Sequence, residues 1–128
     1  MSDDVVTTVE GFYLALQRGD IDACIAMFTG DGIIWHNYDG AEQPNDEALG
    51  ALRGLAQLKP RYIIWRRDVL TDGCVQQHVV ELSLPGGGIA AVPAMQRIYC
   101  ADGKISRIEE YMDSAQMAEV IRALQSIH

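Results

Sequence analysis

The chain has 128 residues, a length that suits one domain with its own core and is too short for two. Hydrophobic residues make up 48% of it and charged residues 22%, a balance that excludes an intrinsically disordered protein. The formal net charge is −8 at pH 7 and no lysine or arginine cluster reverses it locally, so we expect no nucleic acid partner.

Membrane, secreted and disulfide-rich proteins are also disfavoured. The sequence has no apolar run of about eighteen residues, and its beginning, "MSDDVVTTVE", is acidic where a signal peptide is basic and then apolar. We therefore expect a cytoplasmic protein that does not act at a membrane. Cys24, Cys74 and Cys100 form neither an even set nor a Cys-x-x-Cys pair, so they predict neither a disulfide framework nor a thiolate metal site.

The chain begins with a predicted amphipathic helix. Asp3 or Asp4 caps it, and Arg18-Gly19 ends it. Its apolar residues recur with the 3.6-residue helical period and are Val5, Val9, Phe12 and Leu16.

Two shorter helices and a strand are predicted next. Asp20 caps the helix "IDACIAMF", and the turn "TGDG" ends it. The strand "IIWHN" (33–37) follows. Beyond the loop "YDGAEQPN", a third helix starts near Asn45, with Leu49, Leu52 and Leu55 on one face.

The second half of the chain predicts an antiparallel meander. Four apolar-rich runs, "RYIIWRRDVL", "CVQQHVVELSL", "GIAAVPAMQRIYCA" and "KISRIEEYM", are separated by "TDG", "PGGG" and "DG", which are hairpin signals because such turns need positive φ. The arginines of the first run are expected to face solvent or a second subunit: Arg61, Arg66 and Arg67.

A last helix completes the predicted order, ααβαββββα. Asp113 caps this helix, and one apolar stripe runs along it: Met117, Val120, Ile121, Leu124 and Ile127. Helices that precede a long antiparallel sheet cover one of its faces, which is the α+β arrangement. A strongly twisted sheet wrapped around helices forms a cone, and its wide end leaves a hole for a small, mostly apolar ligand.

Three stretches carry a resemblance to a known family. The helix-turn "ALQRGDIDACIAMF", the strand "WHN" and the ending "DGKISRIEEYMD" together resemble the NTF2-like superfamily, in its SnoaL-like and ketosteroid isomerase-like branch. The resemblance covers nearly the whole chain and implies one domain (1–128), a cone-shaped fold and a homodimer through the outer face of the sheet. It is specific for fold and weak for activity, because the superfamily hosts isomerases, epoxide hydrolases, cyclases, dehydratases and non-catalytic binders.

An overlay on ketosteroid isomerases implies one set of site residues. The general base at the end of the first strand falls on His36. The oxyanion tyrosine of the first helix falls on Phe12, one position before Tyr13, and phenylalanine cannot donate a hydrogen bond. The second oxyanion donor falls near Gln96, which can donate.

An overlay on limonene-epoxide hydrolases implies another set. Trp35 and Asn37 match the Tyr-x-Asn that positions the attacking water, and Glu110 matches a catalytic aspartate. The family's Arg-x-Asp falls either on Gln76 and His78 or on Gln77 and Val79. The two overlays need opposite faces of the strand to point inward, because neighbouring strand residues alternate.

The residue types support the same candidates. An imidazole with a pKa of about 6.5 can accept a proton at neutral pH, which suits His36 to a general base. Glu110 alternates with Ile108 and Met112, so it is expected to face the interior. Three polar residues in a row, Gln76 to His78, are explained by a pocket wall or by an exposed or dimer-facing surface.

We therefore predict an enzyme that needs no cofactor and no metal and acts on a small organic molecule. His36 abstracts a proton from a carbon acid or from water, and Glu110 relays that proton or orients the imidazole. The side chains expected to hold the developing oxyanion are Asn37, Gln76, His78 and Gln96. The reaction is an isomerisation, cyclisation or epoxide hydrolysis. The alternative is a non-catalytic module that binds a small ligand in the same cavity.

Overall fold

A computed structural model describes residues 2–126, with side chains from Asp4 onward. The helices are α1 (Ser2–Arg18), α2 (Ile21–Ala26), α3 (Asn45–Gly50), a 3-10 helix (Leu55–Leu58) and α4 (Ser114–Ser126). The strands are β1 (Phe28–His36), β2 (Glu42–Pro44), β3 (Arg61–Leu70), β4 (Gly73–Ser83), β5 (Ile89–Ala101) and β6 (Lys104–Met112).

The two predicted N-terminal helices are present, but the second ends at Ala26 and not at Phe28, which begins β1. All four apolar positions of α1 are buried. Gly19 ends α1 with a left-handed φ of 76°, and the Asp20 carboxylate accepts a hydrogen bond from Ala23 N at 3.1 Å. Asp4 lies inside the first turn of α1, and the Asp3 side chain lies outside the described part of the chain.

Three local predictions between residues 29 and 58 are wrong. The segment "TGDG" belongs to β1, because parallel pairing with β6 begins at Phe28 and resumes after an irregularity at Ile33. The loop after β1 contains β2, whose Gln43 pairs with Ile34. The third helix ends at Gly50, since glycine disfavours helix, and the chain continues into the 3-10 helix.

The six strands form one curved, unclosed sheet in the order β2-β1-β6-β5-β4-β3. The predicted meander of β3, β4, β5 and β6 is confirmed, with antiparallel pairing throughout. β1 adds to the edge of the meander by pairing in parallel with β6. The α+β fold class is thereby confirmed, with helices on the inner face of the sheet.

Two apolar clusters lie on the inner face of the sheet. The first joins α1, α2 and α3 to β1, β4, β5 and β6, with Ile98, Ile105 and Ile108 fully buried. The second joins α4 and the 3-10 helix to β4 and β5 through Val92 and Val120. In α4 Ile121 is half exposed, contrary to the predicted stripe, and Ile127 lies outside the described residues.

The sheet register sets a row of polar side chains across the inner face. Backbone partners run from His36 to Glu110, from Glu110 to Gln96, from Gln96 to Gln76, and from Gln76 to Arg67. These five residues, here called the polar row, occupy β1, β6, β5, β4 and β3 in that order. On one side the neighbouring inner-face row is apolar and consists of Ile34, Ile108, Ile98 and Cys74.

A bulge in β3 turns Arg67 into this row. The register shifts between Ile64, which pairs with His78, and Arg66, which pairs with Gln77. The extra residue is Trp65, and it reverses the alternation of the strand so that Arg67 faces inward. The Arg67 side chain is only 14% exposed, so the expectation that it faces solvent or a second subunit is wrong.

The turn between β3 and β4 yields a prediction about stability. Replacing Gly73 by alanine should lower the free energy of unfolding by roughly 2 kcal/mol or more, because the new Cβ would overlap the Ile98 carbonyl oxygen and φ is +155°. Chemical denaturation measures the change. Gly86→Ala is the control, since a Cβ there meets nothing within 4 Å, and equal losses in the two variants would contradict the prediction.

Candidate active site

The carboxylate of Glu110 is held from two sides at one end of the polar row. His36 Nε2 lies 3.1 Å from Glu110 Oε1, and Gln96 Nε2 donates to Glu110 Oε2 at 2.6 Å. The Tyr13 hydroxyl of α1 donates in turn to Gln96 Oε1. A continuous chain of side-chain contacts therefore runs from Tyr13 through Gln96 and Glu110 to His36.

This end of the polar row reaches the protein surface. The side chains of His36 and Glu110 are 16% and 13% exposed. Tyr38, in the turn after β1, stacks on the His36 ring with 5.0 Å between ring centroids. Solvent or a small molecule can therefore approach the histidine and the carboxylate at this point, beside an aromatic ring.

The other end of the polar row surrounds His78. Arg67 Nε donates to Gln76 Oε1 at 2.8 Å, and Gln76 Nε2 lies 2.9 Å from His78 Nδ1. The His78 ring meets Tyr13 and Tyr62 edge-on, with centroids 5.5 and 5.8 Å apart. Gln76 and His78 are almost completely buried, so their polar atoms depend on these partners.

Burial shapes the protonation of the three interior rings. It raises the pKa of Tyr13 and of Tyr62 well above the usual value, and the nearby Glu110 carboxylate raises both further. Burial lowers the pKa of His78, with Glu110 acting against that shift and Arg67 adding to it. At neutral pH the interior therefore holds two protonated phenols and a neutral imidazole.

The structure brings five of the predicted site residues together. They are His36, Glu110, Gln96, Gln76 and His78. It also shows which residues of "WHN" and "QQH" face inward: His36, Gln76 and His78 do.

Four other predicted residues lie elsewhere. Trp35 and Gln77 are on the outer face, where the Trp35 ring contacts Tyr111 at 5.3 Å and Gln77 lines a groove. Phe12 packs in the first apolar cluster against Phe28. Asn37 is exposed and accepts a hydrogen bond from Met112 N at 3.0 Å, so its amide joins the ends of β1 and β6.

Tyr13, Tyr62 and Arg67 belong to the site although they were not among the predicted residues. Tyr13 shares the helical spacing of Val9 and Leu16, so periodicity could have placed it on the inner face of α1. No comparable signal marks Arg67, because its direction depends on the bulge at Trp65.

Two structural features are absent from the described residues, 2–126. No helix there is long and apolar enough to cross a membrane. No three His, Cys, Asp or Glu side chains of that range are grouped to hold a metal ion.

Comparison by sequence finds no match, whereas comparison by structure finds proteins of similar fold. No protein-family model and no curated protein sequence matches the chain. Among solved structures, TerC, co-crystallised with polyporic acid, matches with a TM-score of 0.76 and 16% identity over 93% of this chain and 98% of its own.

Two further structures carry the family name. An NTF2-like protein of unknown function from Burkholderia pseudomallei matches with a TM-score of 0.73 and 19% identity over 94% of this chain and 97% of its own. A proposed SnoaL-like polyketide cyclase from Shewanella putrefaciens matches with a TM-score of 0.73 and 15% identity over 90% and 83%. At such identities the likeness shows the fold alone, and the fold of the chain is NTF2-like.

Proposed function

We propose that the chain is a cofactor-independent enzyme that uses His36 and Glu110 as an acid–base pair on a small organic molecule. The observation that carries this proposal is the 3.1 Å contact between His36 Nε2 and Glu110 Oε1 at the accessible end of the polar row. A partly exposed histidine whose ring is oriented by a carboxylate on its interior side is a common arrangement for general acid–base chemistry.

In this proposal each nitrogen of His36 has its own role. A carboxylate only accepts hydrogen bonds, so Nε2 must carry the proton that faces Glu110. The other nitrogen, Nδ1, is then the acceptor in the neutral ring and takes the proton from the substrate. Glu110 stabilises the imidazolium that forms, and returning the proton from Nδ1 completes the cycle.

The position of Glu110 is fixed by residues that do not themselves exchange a proton. The Tyr13 hydroxyl donates to Gln96 Oε1, which turns the amide nitrogen of Gln96 toward Glu110 Oε2. One carboxylate oxygen thus faces Gln96 and the other faces His36. This orientation is of the kind that a base needs before substrate arrives.

The proposed substrate is a small molecule with a ring system and a carbonyl or epoxide oxygen. Tyr13, Tyr62 and His78 supply aromatic edges on the interior side, and Tyr38 supplies an aromatic face at the surface. The names of two structural neighbours agree with this class, since one is a proposed polyketide cyclase and the other was crystallised with polyporic acid. The proposed reactions are isomerisation, cyclisation and hydrolysis.

A binding module without catalysis is the second candidate, and the packing of the interior favours it. Among the described residues, every buried side-chain nitrogen and oxygen atom already has a hydrogen-bond partner. A site whose fully buried groups are already paired can hold a ligand at its surface end without chemistry. Turnover measurements on His36 and Glu110 variants separate the two candidates.

We also propose a homodimer through the outer face of the sheet. A groove of about 290 Å³ there is lined by Trp65, Met95 and Tyr111, which are 61%, 43% and 52% exposed. A second copy suits it because charges on the outer strands are paired within one chain, as in Arg107 with Glu109 and Arg61 with Glu81. The net charge of −8 therefore opposes self-association less at this face than elsewhere.

Removal of either member of the pair should abolish most activity. On β,γ-unsaturated ketones and epoxides that the wild type converts, His36→Ala and Glu110→Gln are expected to lower kcat about a hundredfold or more, because each removes the general base or its orienting partner. Glu109→Gln is the matched control. Its carboxylate lies on the other face and binds Arg107 and Tyr99, so kcat should not change.

Two results would decide against the enzyme. If the wild type neither converts nor binds any of these ketones and epoxides, both candidate functions are ruled out. If it binds one of them without converting it, and His36→Ala weakens that binding, the non-catalytic module is correct.

The dimer is tested by Trp65→Ser. Sedimentation equilibrium of the wild type should give the mass of a dimer, and the variant should dissociate at concentrations at which the wild type does not, because an exposed aromatic anchor is lost. Leu14→Ser, on α1, is the control, since Leu14 is similarly exposed at 57% but lies away from the groove. A wild type that stays monomeric at every concentration would rule the dimer out.

The neutral state of His78 predicts a pH dependence of stability. The folded pKa of His78 lies below its unfolded value of about 6.5, so unfolding takes up a proton as pH falls through this region. The free energy of unfolding should therefore decrease as pH is lowered below about 6.5. In His78→Gln this decrease should be smaller, as measured by urea denaturation across that range, and identical slopes would show that His78 is not the source.

A further inference from the structure

A buried relay of hydrogen bonds runs from Arg67 through Gln76 to His78. The chemistry of these side chains fixes which atom donates and which atom accepts in each bond. A guanidinium has only N–H groups to offer, so the Gln76 atom 2.8 Å from Arg67 Nε must be the carbonyl oxygen. The Gln76 nitrogen then faces His78 and presents an N–H to it. His78 Nδ1, 2.9 Å away, must accept, so it cannot carry a proton while this bond exists.

We propose that Arg67 and Gln76 are positioning residues that hold His78 as a neutral imidazole with its N–H on Nε2, and that this N–H donates to the uncharged carbonyl oxygen of a ligand. The ligand part of this inference rests on the proposed function. The positioning part does not, since it follows from the three side chains alone.

The surroundings of His78 reinforce the neutral state. Protonation at Nδ1 would set an N–H against the N–H of Gln76 and break the relay. Arg67 places a positive charge two hydrogen bonds away from the His78 ring. Its side chain is 14% exposed, and its Nη1 also lies 3.5 Å from Glu10 Oε1. Burial lowers the pKa of His78, and only Glu110 acts in the opposite direction.

The neutral donor has a consequence for the class of ligand. An imidazolium would attract a carboxylate, whereas a neutral N–H near the Glu110 carboxylate disfavours an anion and suits a carbonyl oxygen. The two ends of the polar row then have separate tasks. His36 and Glu110 exchange a proton, and His78 holds the oxygen on which negative charge develops.

The bulge in β3 makes this assembly possible. Without it, strict alternation would put Arg66 on the inner face and Arg67 outside. Arg66 instead pairs with Asp68 at 2.8 Å on the exposed surface. Substitutions of these two adjacent arginines therefore form a matched pair. The two side chains are of the same type and differ in the face of the strand on which they lie.

The decisive test reads the tautomer of His78 directly by ¹⁵N NMR of the imidazole nitrogens, with the His78 signals assigned by their loss in His78→Gln. In the wild type at neutral pH, we expect the proton on Nε2 and none on Nδ1. Gln76→Glu should move the proton to Nδ1 or protonate both nitrogens, because a carboxylate can only accept. Arg67→Met should give a mixture of tautomers, since Gln76 is then free to turn over, and Arg67→Lys should largely restore the wild-type state.

Arg66→Met is the control and should leave the wild-type tautomer unchanged. A wild type with its proton on Nδ1, or a Gln76→Glu variant that keeps the wild-type tautomer, would overturn the positioning role. These readings need no turnover, so they remain valid if His36 and Glu110 prove not to be catalytic.

The donor role is tested with two ligands of similar shape, 2-tetralone and tetralin-2-carboxylate. The ketone should shift the His78 Nε2–H signal of the wild type and the carboxylate should not. A shift with the carboxylate alone, or with neither compound, would overturn this role. For any ketone that the wild type converts, Gln76→Glu should lower kcat by about a hundredfold with little change in KM, as loss of an oxyanion donor does.

Discussion

The register of β6 between its two neighbours is the constraint on which the rest of the site depends. Parallel pairing with β1 sets His36 beside Glu110, and antiparallel pairing with β5 sets Gln96 on the other side of the same carboxylate. Side chains alternate along a strand, so a slip of one residue would turn the whole set to the outer face. Ile34 and Ile108, two residues earlier on the same strands, prevent that slip because they would leave the core.

The polar row lies between two apolar clusters, and this position makes its internal pairing necessary. A buried polar group without a partner costs about 1–3 kcal/mol, so each amide in the row must be satisfied in one definite orientation. The charged residues next to the two glutamines decide those orientations. Arg67 can only donate and the Glu110 carboxylate can only accept, and each dictates which atom of the adjacent glutamine it meets.

The sequence predicts most of the sheet and only part of the site. The first and last residues of β3 and β6 could be predicted, because Asp-Gly and Gly-Gly turns separate segments whose composition is clearly that of strands. Which residues of β1 face inward could not be predicted. The order Trp35, His36, Asn37 allows either His36 or its two neighbours to face inward until the pairing with β6 is known. Tyr13 was within reach of helical periodicity, whereas Arg67 was not, because a bulge leaves no reliable mark in a single sequence.

The two halves of the polar row are adjacent in the sheet, but the side chains of Gln76 and Gln96 do not bond to each other. Gln76 and Gln96 face each other across β4 and β5, yet each bonds to other groups, one to Arg67 and His78 and the other to Tyr13 and Glu110. The two halves are nevertheless coupled through space, because the Glu110 carboxylate opposes the lowering of the His78 pKa by burial. In the proposed function, a small ligand that reached from His36 toward His78 would meet the proposed base at one end and the proposed hydrogen-bond donor at the other, which is the pair of groups that enolisation of a ketone requires.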